Sequence, residues 1–230
     1  MGQIQTEFIH TLVYDVPEIF IETGTALGGT PQRMIQDGTF SKWKKVYTIE
    51  LSADSCKVAS KRYKLFEEHG VSGDFDPDTG EADETFKDRG EYFDGKLILV
   101  NGESEIVLRD ILMNEIDDPC VFWLDAHAGG RAGYAKGRVD VPLMGELEVI
   151  KEHAHTKNIE NHVVCIDDVH MLGQKQYDKE KNLVCDWSDL TQEEVARALS
   201  GINKQYTVEF MNPFGQPMLT ACNKPFTIPF

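Results

Sequence analysis

Residues 19–30, Ile-Phe-Ile-Glu-Thr-Gly-Thr-Ala-Leu-Gly-Gly-Thr, decide which fold the rest of the chain has to complete. A short apolar run ends in the carboxylate of Glu22 and a glycine-rich turn follows. Thr30 and Pro31 then suit the N-cap and the first position of a helix. Glycine lets the backbone approach a ligand closely, and a helix N-terminus offers free N–H groups. The stretch therefore predicts a strand, a turn and a helix that together form a cofactor cradle.

The composition of the 230-residue chain limits the functions it can have. A net charge of −16, from 39 acidic and 23 basic residues, argues against a basic face for nucleic acids. No apolar run approaches the roughly 20 residues that cross a bilayer, and no signal-like N-terminus is present. We therefore expect a cytoplasmic protein that binds no membrane. The five cysteines lack C-x-x-C spacing, which predicts buried free thiols rather than a zinc site.

Apolar runs alternate with helix-like segments along the chain. This alternation predicts an α/β fold with a Rossmann-like, doubly wound and mostly parallel sheet. Two final runs around residues 212–215 predict a C-terminal antiparallel strand pair, and residues 8–15 a helical lead-in. The predicted strands are 19–22, 46–50, 96–101, 121–125 and 162–168, and the closing pair is 206–211 with 217–221. We expect residues 1–230 to form a single domain, in which the acidic residues 73–94 are a solvated insertion.

Every predicted strand of the parallel sheet ends in polar residues, and nearly all of these are acidic. Ligands of doubly wound sheets bind beyond the carboxyl ends of the strands. One polar strand end means little, but five together indicate a ligand site. The residues are Glu22, Glu50, Asn101-Gly102-Glu103, Asp125 with His127, and Asp167-Asp168.

The glycine turn does not fit a phosphate site. A P-loop needs a lysine after its last glycine, where Thr30 and Pro31 stand, and the dinucleotide fingerprint needs glycine where Ala26 stands. Glu22 would repel a pyrophosphate but suits an ammonium group, and Glu50 can accept hydrogen bonds from a ribose. A cationic ligand with a ribose and an amino-acid tail is S-adenosylmethionine, which we predict as the cofactor.

These residues carry a resemblance to a known family. Residues 22–30 look like the first motif of class I S-adenosylmethionine-dependent methyltransferases. Their E-x-G-x-x-x-G-G form is similar to metal-dependent sugar O-methyltransferases of antibiotic biosynthesis. Leu124-Asp125-Ala-His127 is similar to the L-D-G-D segment of that family, and Ile166-Asp167-Asp168 to its I-D-D segment. The resemblance covers most of the chain and implies methyl transfer to a sugar hydroxyl.

The resemblance also implies roles for individual residues. Asp125, Asp167 and Asp168 would bind a divalent cation, Mg²⁺ or Mn²⁺, that orients and acidifies the acceptor hydroxyl. The second aspartate of L-D-G-D, the presumed base of the family, is His127 here. Imidazole is a competent proton acceptor near neutral pH. Asp125 is a further catalytic candidate, and His170 is the reserve base.

Cofactor contacts are expected from the first motif and the neighbouring strand ends. The segment after the second strand, residues 51–54, departs from the aspartate-and-aromatic stretch of the family, so the acceptor side is expected to differ. The expected cofactor-binding residues are Glu22, Gly24, Thr25, Gly28, Thr30, Glu50, Leu51, Ser52, Gly102, Glu103, Ser104 and Asp125.

Residues 128–140 hold the only basic cluster of an acidic chain. They predict either a mobile lid over the acceptor, where Tyr134 could stack on a sugar, or a plain solvated loop. The chain also resembles the methyltransferase domain of a multidomain glycan-building protein of large algal viruses. That likeness implies a terminal rhamnose as acceptor, a longer multidomain chain and a location in the host cytoplasm. The basic residues of the segment are Arg131, Lys136 and Arg138.

Other interpretations of the same residues remain open at this stage. The fold would also suit a nicotinamide-dependent oxidoreductase or a cofactor-binding module without activity. The aspartates after the strands could cap turns, and His127 could be a loop histidine bonded to backbone. Glu146 lies early in a predicted helix, where a carboxylate favours the helix dipole.

Overall fold

The structure is a computed structural model that describes residues 17–36, 38–70, 82–128, 135–211 and 218–223. Eight strands form the central sheet and two form a separate hairpin. The strands are β1 (Ile19–Thr23), β2 (Lys45–Glu50), β3 (Arg89–Tyr92), β4 (Leu97–Asn101), β5 (Cys120–Leu124), β6 (Val163–Ile166), β7 (Lys175–Tyr177), β8 (Leu183–Asp186), β9 (Thr207–Met211) and β10 (Met218–Cys222). The α-helices are α1 (Gly29–Gln36), α2 (Ala53–His69), α3 (Ser104–Glu115), α4 (Leu143–Lys157) and α5 (Gln192–Ile202).

The central sheet has the strand order β3-β4-β2-β1-β5-β6-β10-β9. The strands from β4 to β6 in this order run parallel to one another. β10 is antiparallel to β6, and β9 is antiparallel to β10. The predicted α/β fold with a mostly parallel, doubly wound sheet and a closing antiparallel pair is therefore confirmed. The strand order reverses on either side of β1, the place where such sheets bind ligands.

Apolar side chains alternate between the two faces of the sheet, and helices cover both faces. Phe20 and Trp123 pack with the apolar residues of α1 and α2. Their sequence neighbours Ile21 and Phe122 point to the other face, which α3, α4 and α5 cover. Each of these side chains is almost completely buried, which stabilises the fold by about 1.5–3 kcal/mol per residue. The functional residues at the strand ends therefore stand on a rigid core.

The segment expected to be a solvated insertion is partly built into the fold. Within its described part, Arg89–Tyr92 forms β3 and extends the central sheet beside β4. Asp83 is buried, and its carboxylate accepts a hydrogen bond of 2.5 Å from the hydroxyl of Ser60. β3 and Asp83 are thus part of the folded body, whereas most other side chains of residues 82–94 are exposed, and the solvated insertion as a whole stays a prediction. Residues 73–81 lie outside the described part of the chain.

A hairpin of β7 and β8 lies between β6 and α5 and is not evident from the sequence. Its strands are short and mostly exposed, so they show no hydrophobic alternation. A small apolar cluster that includes Ala128, Cys185 and Trp187 packs the hairpin against the main body. The cluster therefore fixes the hairpin beside the end of β5.

All five cysteines are buried and none of them forms a disulfide bond, as predicted. The stability of the chain therefore does not depend on an oxidising compartment. Among the helices that the structure describes, none is both long and apolar enough to cross a membrane. The predicted lead-in at residues 8–15 and the turn at residues 212–215 lie outside the described residues.

Two buried histidines close the end of the sheet where β5 begins. His162 Nδ1 accepts a hydrogen bond of 3.0 Å from the N–H of Cys120, so its proton is on Nε2. That proton points to His153 Nδ1, which lies 3.3 Å from His162 Nε2. His153 Nε2 in turn donates a hydrogen bond of 3.0 Å to the carbonyl of Ile116. Both neutral rings are thus fully hydrogen-bonded. Burial lowers the pKa of both, and that of His162 falls to about 3.

We expect this pair to make the protein less stable at mildly acidic pH. Histidine in the unfolded chain binds a proton near pH 6.5, whereas folded His162 resists protonation down to about pH 3. Its contribution to the free energy of unfolding is therefore complete above pH 6.5 and decreases as the pH falls. Between pH 7.5 and pH 5 the loss from this ring is about 2 kcal/mol, measurable by urea unfolding.

A His162→Asn variant separates this effect from other titrating groups. Asparagine keeps an acceptor near the N–H of Cys120 but cannot titrate, so the difference between the two pH values should shrink by about 2 kcal/mol. The exposed His155, changed to asparagine, serves as the control and should leave the difference as it is. An undiminished difference in His162→Asn would contradict the role assigned to the ring.

Candidate active site

A cleft of about 730 Å³ opens at the carboxyl ends of the central strands. Residues from all five of the predicted polar strand ends line it. Glu22 and Glu50 stand on one side, and Asp125, His127 and Asp168 stand on the other. The strand order of the sheet therefore brings into one cavity residues that are far apart in the sequence.

The glycine turn after β1 forms part of the cleft wall. Gly24 has a φ of +82°, and its N–H and that of Thr25 both donate to the carbonyl of Ile49, at 2.9 and 3.2 Å. A Cβ atom at position 24 would lie 2.4 Å from the carbonyl oxygen of Asp125. Both the backbone conformation and the close approach of β1 to the end of β5 therefore require glycine.

The start of α1 differs slightly from the prediction. The helix begins at Gly29, so Thr30 lies in its first turn and is not the N-cap. The Thr30 hydroxyl instead hydrogen-bonds to Glu22. Gly28, with a φ of +79°, approaches the ring of Tyr63, where a Cβ atom would lie 2.6 Å from the phenol oxygen. Gly28 thus shapes the turn from behind.

Glu22 is a buried carboxyl group at the base of the cleft, with 3% of its surface exposed. Parallel pairing of β1 and β2 places Thr48 directly opposite, and the Thr48 hydroxyl donates to Glu22 Oε2 at 2.7 Å. Burial raises the pKa of Glu22 to about 7, although the hydrogen bonds from Thr30 and Thr48 oppose the rise. A nearby cation would favour the ionised form, because it would offset the cost of burial.

Glu50 is fixed at the tip of β2 by two backbone amides. Its Oε2 accepts from the N–H of Ala26 at 2.6 Å, and its Oε1 accepts from the N–H of Ser52 at 2.8 Å. Burial raises the pKa of Glu50, and these hydrogen bonds oppose the rise. Ser52 also caps α2, since its hydroxyl accepts from the N–H of Ser55 at 3.2 Å. The carboxylate keeps further lone pairs for the hydroxyls of a ligand.

The end of β4 and the start of α3 form the next part of the wall. The N–H of Gly102 donates to the carbonyl of Glu50 at 3.0 Å, which ties β4 to β2. Ser104 is buried at the start of α3 and also faces the cleft. All the expected cofactor-binding residues except Gly28 and Ser52 line the cleft, while their contact with a cofactor remains a prediction.

Residues 135–140, which we call the strap, cross the mouth of the cleft. Arg138 pairs with Glu103 and with Glu105. A Cβ atom at Gly137 would contact Leu51 at 3.3 Å, so the strap also reaches the side of β2. The remainder of the predicted lid, residues 129–134 with Arg131 and Tyr134, lies outside the described residues.

Three side chains with catalytic or metal-binding chemistry meet on the opposite wall. His127 Nε2 lies 3.1 Å from Asp168 Oδ2 and 3.6 Å from Asp125 Oδ1. His127 Nδ1 lies 3.0 Å from the carbonyl of Ala128 and must donate to it. The ring packs on Trp187, with centroids 5.4 Å apart. One ligand atom from each of the three side chains lies within 4.8 Å of the others.

The protonation of this group bears on the predicted base. Burial favours the neutral ring of His127, but the neighbouring carboxylates of Asp125 and Asp168 outweigh it and raise its pKa to about 12. Burial raises the pKa of Asp125 to about 8, although the nearby ring of His127 opposes the rise. A ring that keeps its proton at neutral pH is a poor base. In this geometry Asp125, with a pKa near the working pH, is better suited than His127.

The structure leaves Asp167 and His170 outside this group of three, and their predicted roles stay predictions. Asp167 is 2% exposed, and its Oδ1 accepts from the N–H of Asp168 at 2.8 Å. It is absent from the group of three ligands, in which His127 stands instead. The half-exposed His170 lies with its Nδ1 3.8 Å from Asp168 Oδ1 and is not among the described residues that line the cleft. Asp167 therefore supports the turn that presents Asp168.

Two residues of the site, Thr48 and Gln176, are missing from the sequence analysis, and Asp140 is included there only as part of the predicted lid. Thr48 could have been found from the register of β1 and β2, because it lies opposite Glu22. Gln176 reaches the cleft on the hairpin, which has no sequence signal. Asp140 joins the strap to the segment after β5 and to β8. Its carbonyl accepts from the N–H of Ala128 at 2.7 Å, and its carboxylate accepts from the N–H of Asp186 at 3.0 Å. No local pattern marks that contact.

Comparison with known proteins gives no sequence relative but clear structural ones. No protein-family profile and no curated sequence matches the chain. An O-methyltransferase from Bacillus cereus, in complex with S-adenosylhomocysteine, has a TM-score of 0.57 at 13% identity, over 97% of this chain and 82% of that one. TomG, an O-methyltransferase from Streptomyces achromogenes involved in tomaymycin synthesis, has the same TM-score and identity over 96% and 80%.

A third structure agrees with these two. The methyltransferase PaMTH1 from Podospora anserina, bound to S-adenosylhomocysteine, has a TM-score of 0.53 at 14% identity, over 98% of this chain and 80% of that one. Identities this low carry information on the fold alone. With the strand order and the closing antiparallel pair, they show that this chain has the class I S-adenosylmethionine-dependent methyltransferase fold.

Proposed function

We propose that the protein is an S-adenosylmethionine-dependent O-methyltransferase that acts on a sugar hydroxyl with the help of a divalent cation. The observation that carries the proposal is the division of one cleft into two walls. Glu22 and Glu50 form a wall suited to an amino-acid nucleoside, and Asp125, His127 and Asp168 form a wall suited to proton transfer or metal binding.

The donor wall fits the three parts of S-adenosylmethionine. Glu50, held by backbone amides, would accept hydrogen bonds from the two ribose hydroxyls. At the glycine turn, Gly24 lets the backbone approach the ligand closely, and Glu22 supplies negative charge for the ammonium group. Gly102 and Glu103, which we call the lip, would contact the adenine. A pyrophosphate at the glycine turn would be repelled by the Glu22 carboxylate, which disfavours a nicotinamide dinucleotide.

The chemistry required of the opposite wall is modest. The methyl group leaves the sulfonium as its C–S bond breaks and an O–C bond to the acceptor forms. The acceptor hydroxyl gives its proton to a base, for which Asp125 is the best-placed group in the absence of a metal ion. Most of the rate enhancement would come from the alignment of donor and acceptor, and the base would add about 10²–10⁴-fold.

The residues on this wall also fit a divalent cation. Asp125, His127 and Asp168 offer two carboxylates and one imidazole nitrogen, a ligand set that suits Mn²⁺ better than Mg²⁺. A bound cation would lower the pKa of the acceptor hydroxyl. It would also require His127 Nε2 to lose its proton, so these side chains would be ligands rather than bases.

The choice of a sugar as acceptor rests on the motifs at residues 22–30, 124–127 and 166–168 and on the polar character of the acceptor side. Gln176, Asp140 and Arg138 line the cleft there and can bind hydroxyl groups. A terminal rhamnose of a glycan is one such acceptor.

Binding of S-adenosylhomocysteine to the whole chain, measured by calorimetry, tests the first part of the proposal. We expect one site with a dissociation constant in the micromolar range, about −8 kcal/mol. NADH is the control ligand and should show no heat of binding. Tight binding of NADH with none of S-adenosylhomocysteine would replace the proposal with an oxidoreductase.

Titration with Mn²⁺, followed by electron paramagnetic resonance, tests the cation. We expect Asp168→Asn to lower the affinity for Mn²⁺ at least tenfold, because it removes the charge of a ligand. Asp167→Asn keeps the oxygen that accepts from the N–H of Asp168 and tests the predicted third carboxylate, so a loss of less than about threefold would place Asp167 outside the ligand set. No binding of Mn²⁺ to the wild type would remove the cation from the proposal.

A further inference from the structure

Helix α4 buries a carboxyl group, Glu146, which the proposed reaction does not use. Glu146 lies in the first turn of α4 but only 1% of its surface is exposed. A carboxylate that merely favours the helix dipole would stay in solvent, because burial of a charge is costly. The buried carboxyl group of Glu146 therefore needs a hydrogen-bond partner inside the protein.

Two buried hydroxyl groups lie beside this carboxyl. Thr23 is the last residue of β1 and is fully buried, and Ser104 is the first residue of α3 and is 7% exposed. Burial raises the pKa of Glu146 to about 7, and the hydroxyls of Ser104 and Thr23 oppose the rise, so they lie within reach of the carboxyl. Glu105 is the charged neighbour, and it adds to the rise.

Each of the three side chains contributes a buried polar atom without a direct hydrogen-bond partner among the described residues. These atoms are Thr23 Oγ1, Ser104 Oγ and Glu146 Oε1. Buried polar atoms in native proteins are nearly always paired, because an unpaired one loses its hydration without compensation. Three such atoms side by side are most simply satisfied by one another, directly or through one water molecule.

These three side chains lie between two parts of the cleft wall, the glycine turn and the lip. Thr23 immediately precedes Gly24 of the glycine turn, and Ser104 immediately follows the lip at Gly102 and Glu103. Helices α3 and α4 meet here so closely that a Cβ atom at Gly145 would lie 2.2 Å from Glu105 Oε2. A link at this junction would hold the turn and the lip at a fixed separation.

We propose that Glu146 is a positioning residue, whose carboxyl group joins the hydroxyls of Thr23 and Ser104 and thereby sets the width of the cofactor cleft. The inference rests on the proposed function, since it takes the glycine turn and the lip to be the two sides of the cofactor site. Glu146 acts through its neighbours and does not touch the cofactor.

Affinity for S-adenosylhomocysteine, measured by calorimetry together with melting temperature, tests the link. Glu146→Leu removes the carboxyl group that would link the two hydroxyls and should raise the dissociation constant about tenfold. Glu146→Gln can donate to one hydroxyl and accept from the other, so its dissociation constant should stay within about threefold of the wild type. Val149→Ala, a buried substitution on the same helix, should lower the melting temperature but leave the affinity unchanged.

Thr23→Val tests the same link from β1 and guards against a Glu146→Leu variant that does not fold. Valine has the shape of threonine but no hydroxyl, so a rise in the dissociation constant of about threefold or more is expected. Affinities in both variants equal to that of Val149→Ala would overturn the inference. No binding by the wild type would overturn the proposed function and the inference with it.

Discussion

Replacing Glu50 by alanine should weaken the binding of S-adenosylhomocysteine at least 100-fold. The change would remove the acceptor for two ribose hydroxyls, and charge-assisted hydrogen bonds of this kind contribute about 1.5–3 kcal/mol each. It would also leave the N–H groups of Ala26 and Ser52 without their partner, so the glycine turn would lose its support. Calorimetry gives the affinity, and the melting temperature shows whether the fold persists.

Two further variants make this result specific. Glu50→Gln keeps one acceptor oxygen, so its affinity for S-adenosylhomocysteine should lie between those of the wild type and Glu50→Ala. Glu68→Ala removes an exposed carboxylate from α2 and should bind like the wild type. An affinity within about threefold of the wild type in Glu50→Ala would mean that the ribose does not sit at the end of β2.

Replacing Gly24 by alanine should abolish measurable cofactor binding and lower the free energy of unfolding by about 2–4 kcal/mol. The residue has a positive φ, which costs a non-glycine residue about 1–2 kcal/mol. In addition, the new Cβ would lie 2.4 Å from the carbonyl oxygen of Asp125, and backbone must move to relieve the contact. The movement would separate β1 from β5, and with it the donor wall from the catalytic wall.

Gly38 provides a matched control for this experiment. Its φ of +80° is almost the same, but a Cβ atom there would meet nothing within 4 Å. Gly38→Ala should therefore show the conformational cost alone, about 1–2 kcal/mol, with unchanged affinity for S-adenosylhomocysteine. Equal losses of stability in the two variants would show that the contact with Asp125 does not matter.

The parts of the fold that follow from local patterns were predictable. The parallel strands are continuous apolar runs because both faces of the sheet are covered, and such runs are visible in the sequence. Thr191 and Glu194 form the capping box that their spacing indicates at the start of α5. β3 and the hairpin of β7 and β8 could not be predicted, because they are short and polar and are held by residues distant in the sequence.

The residues of the candidate site also divide into those that the sequence predicts and those that it does not. Glu22, Glu50 and Asp125 are strand-end residues, and the rule that strand ends meet at one edge is enough to assemble them. The grouping of His127 with Asp125 and Asp168 is less evident from the sequence, since Asp168 lies in the turn after β6 with a φ of +52°. A backbone conformation of that kind depends on tertiary contacts as well as on the hydrogen bond from the N–H of Asp168 to Asp167.

The position of β1 between β2 and β5 also has a consequence for folding. The pairing of β1 with β2 joins Ile19 to Lys45, whereas its pairing with β5 joins Ile19 to the more distant Cys120. Loop closure over such a distance delays a contact, so the donor half of the cleft can form before the catalytic half docks on it. In that order of events, the pocket would be completed only when β5 docks on β1. A ligand that spans both walls would slow the first step of unfolding and protect the protein kinetically.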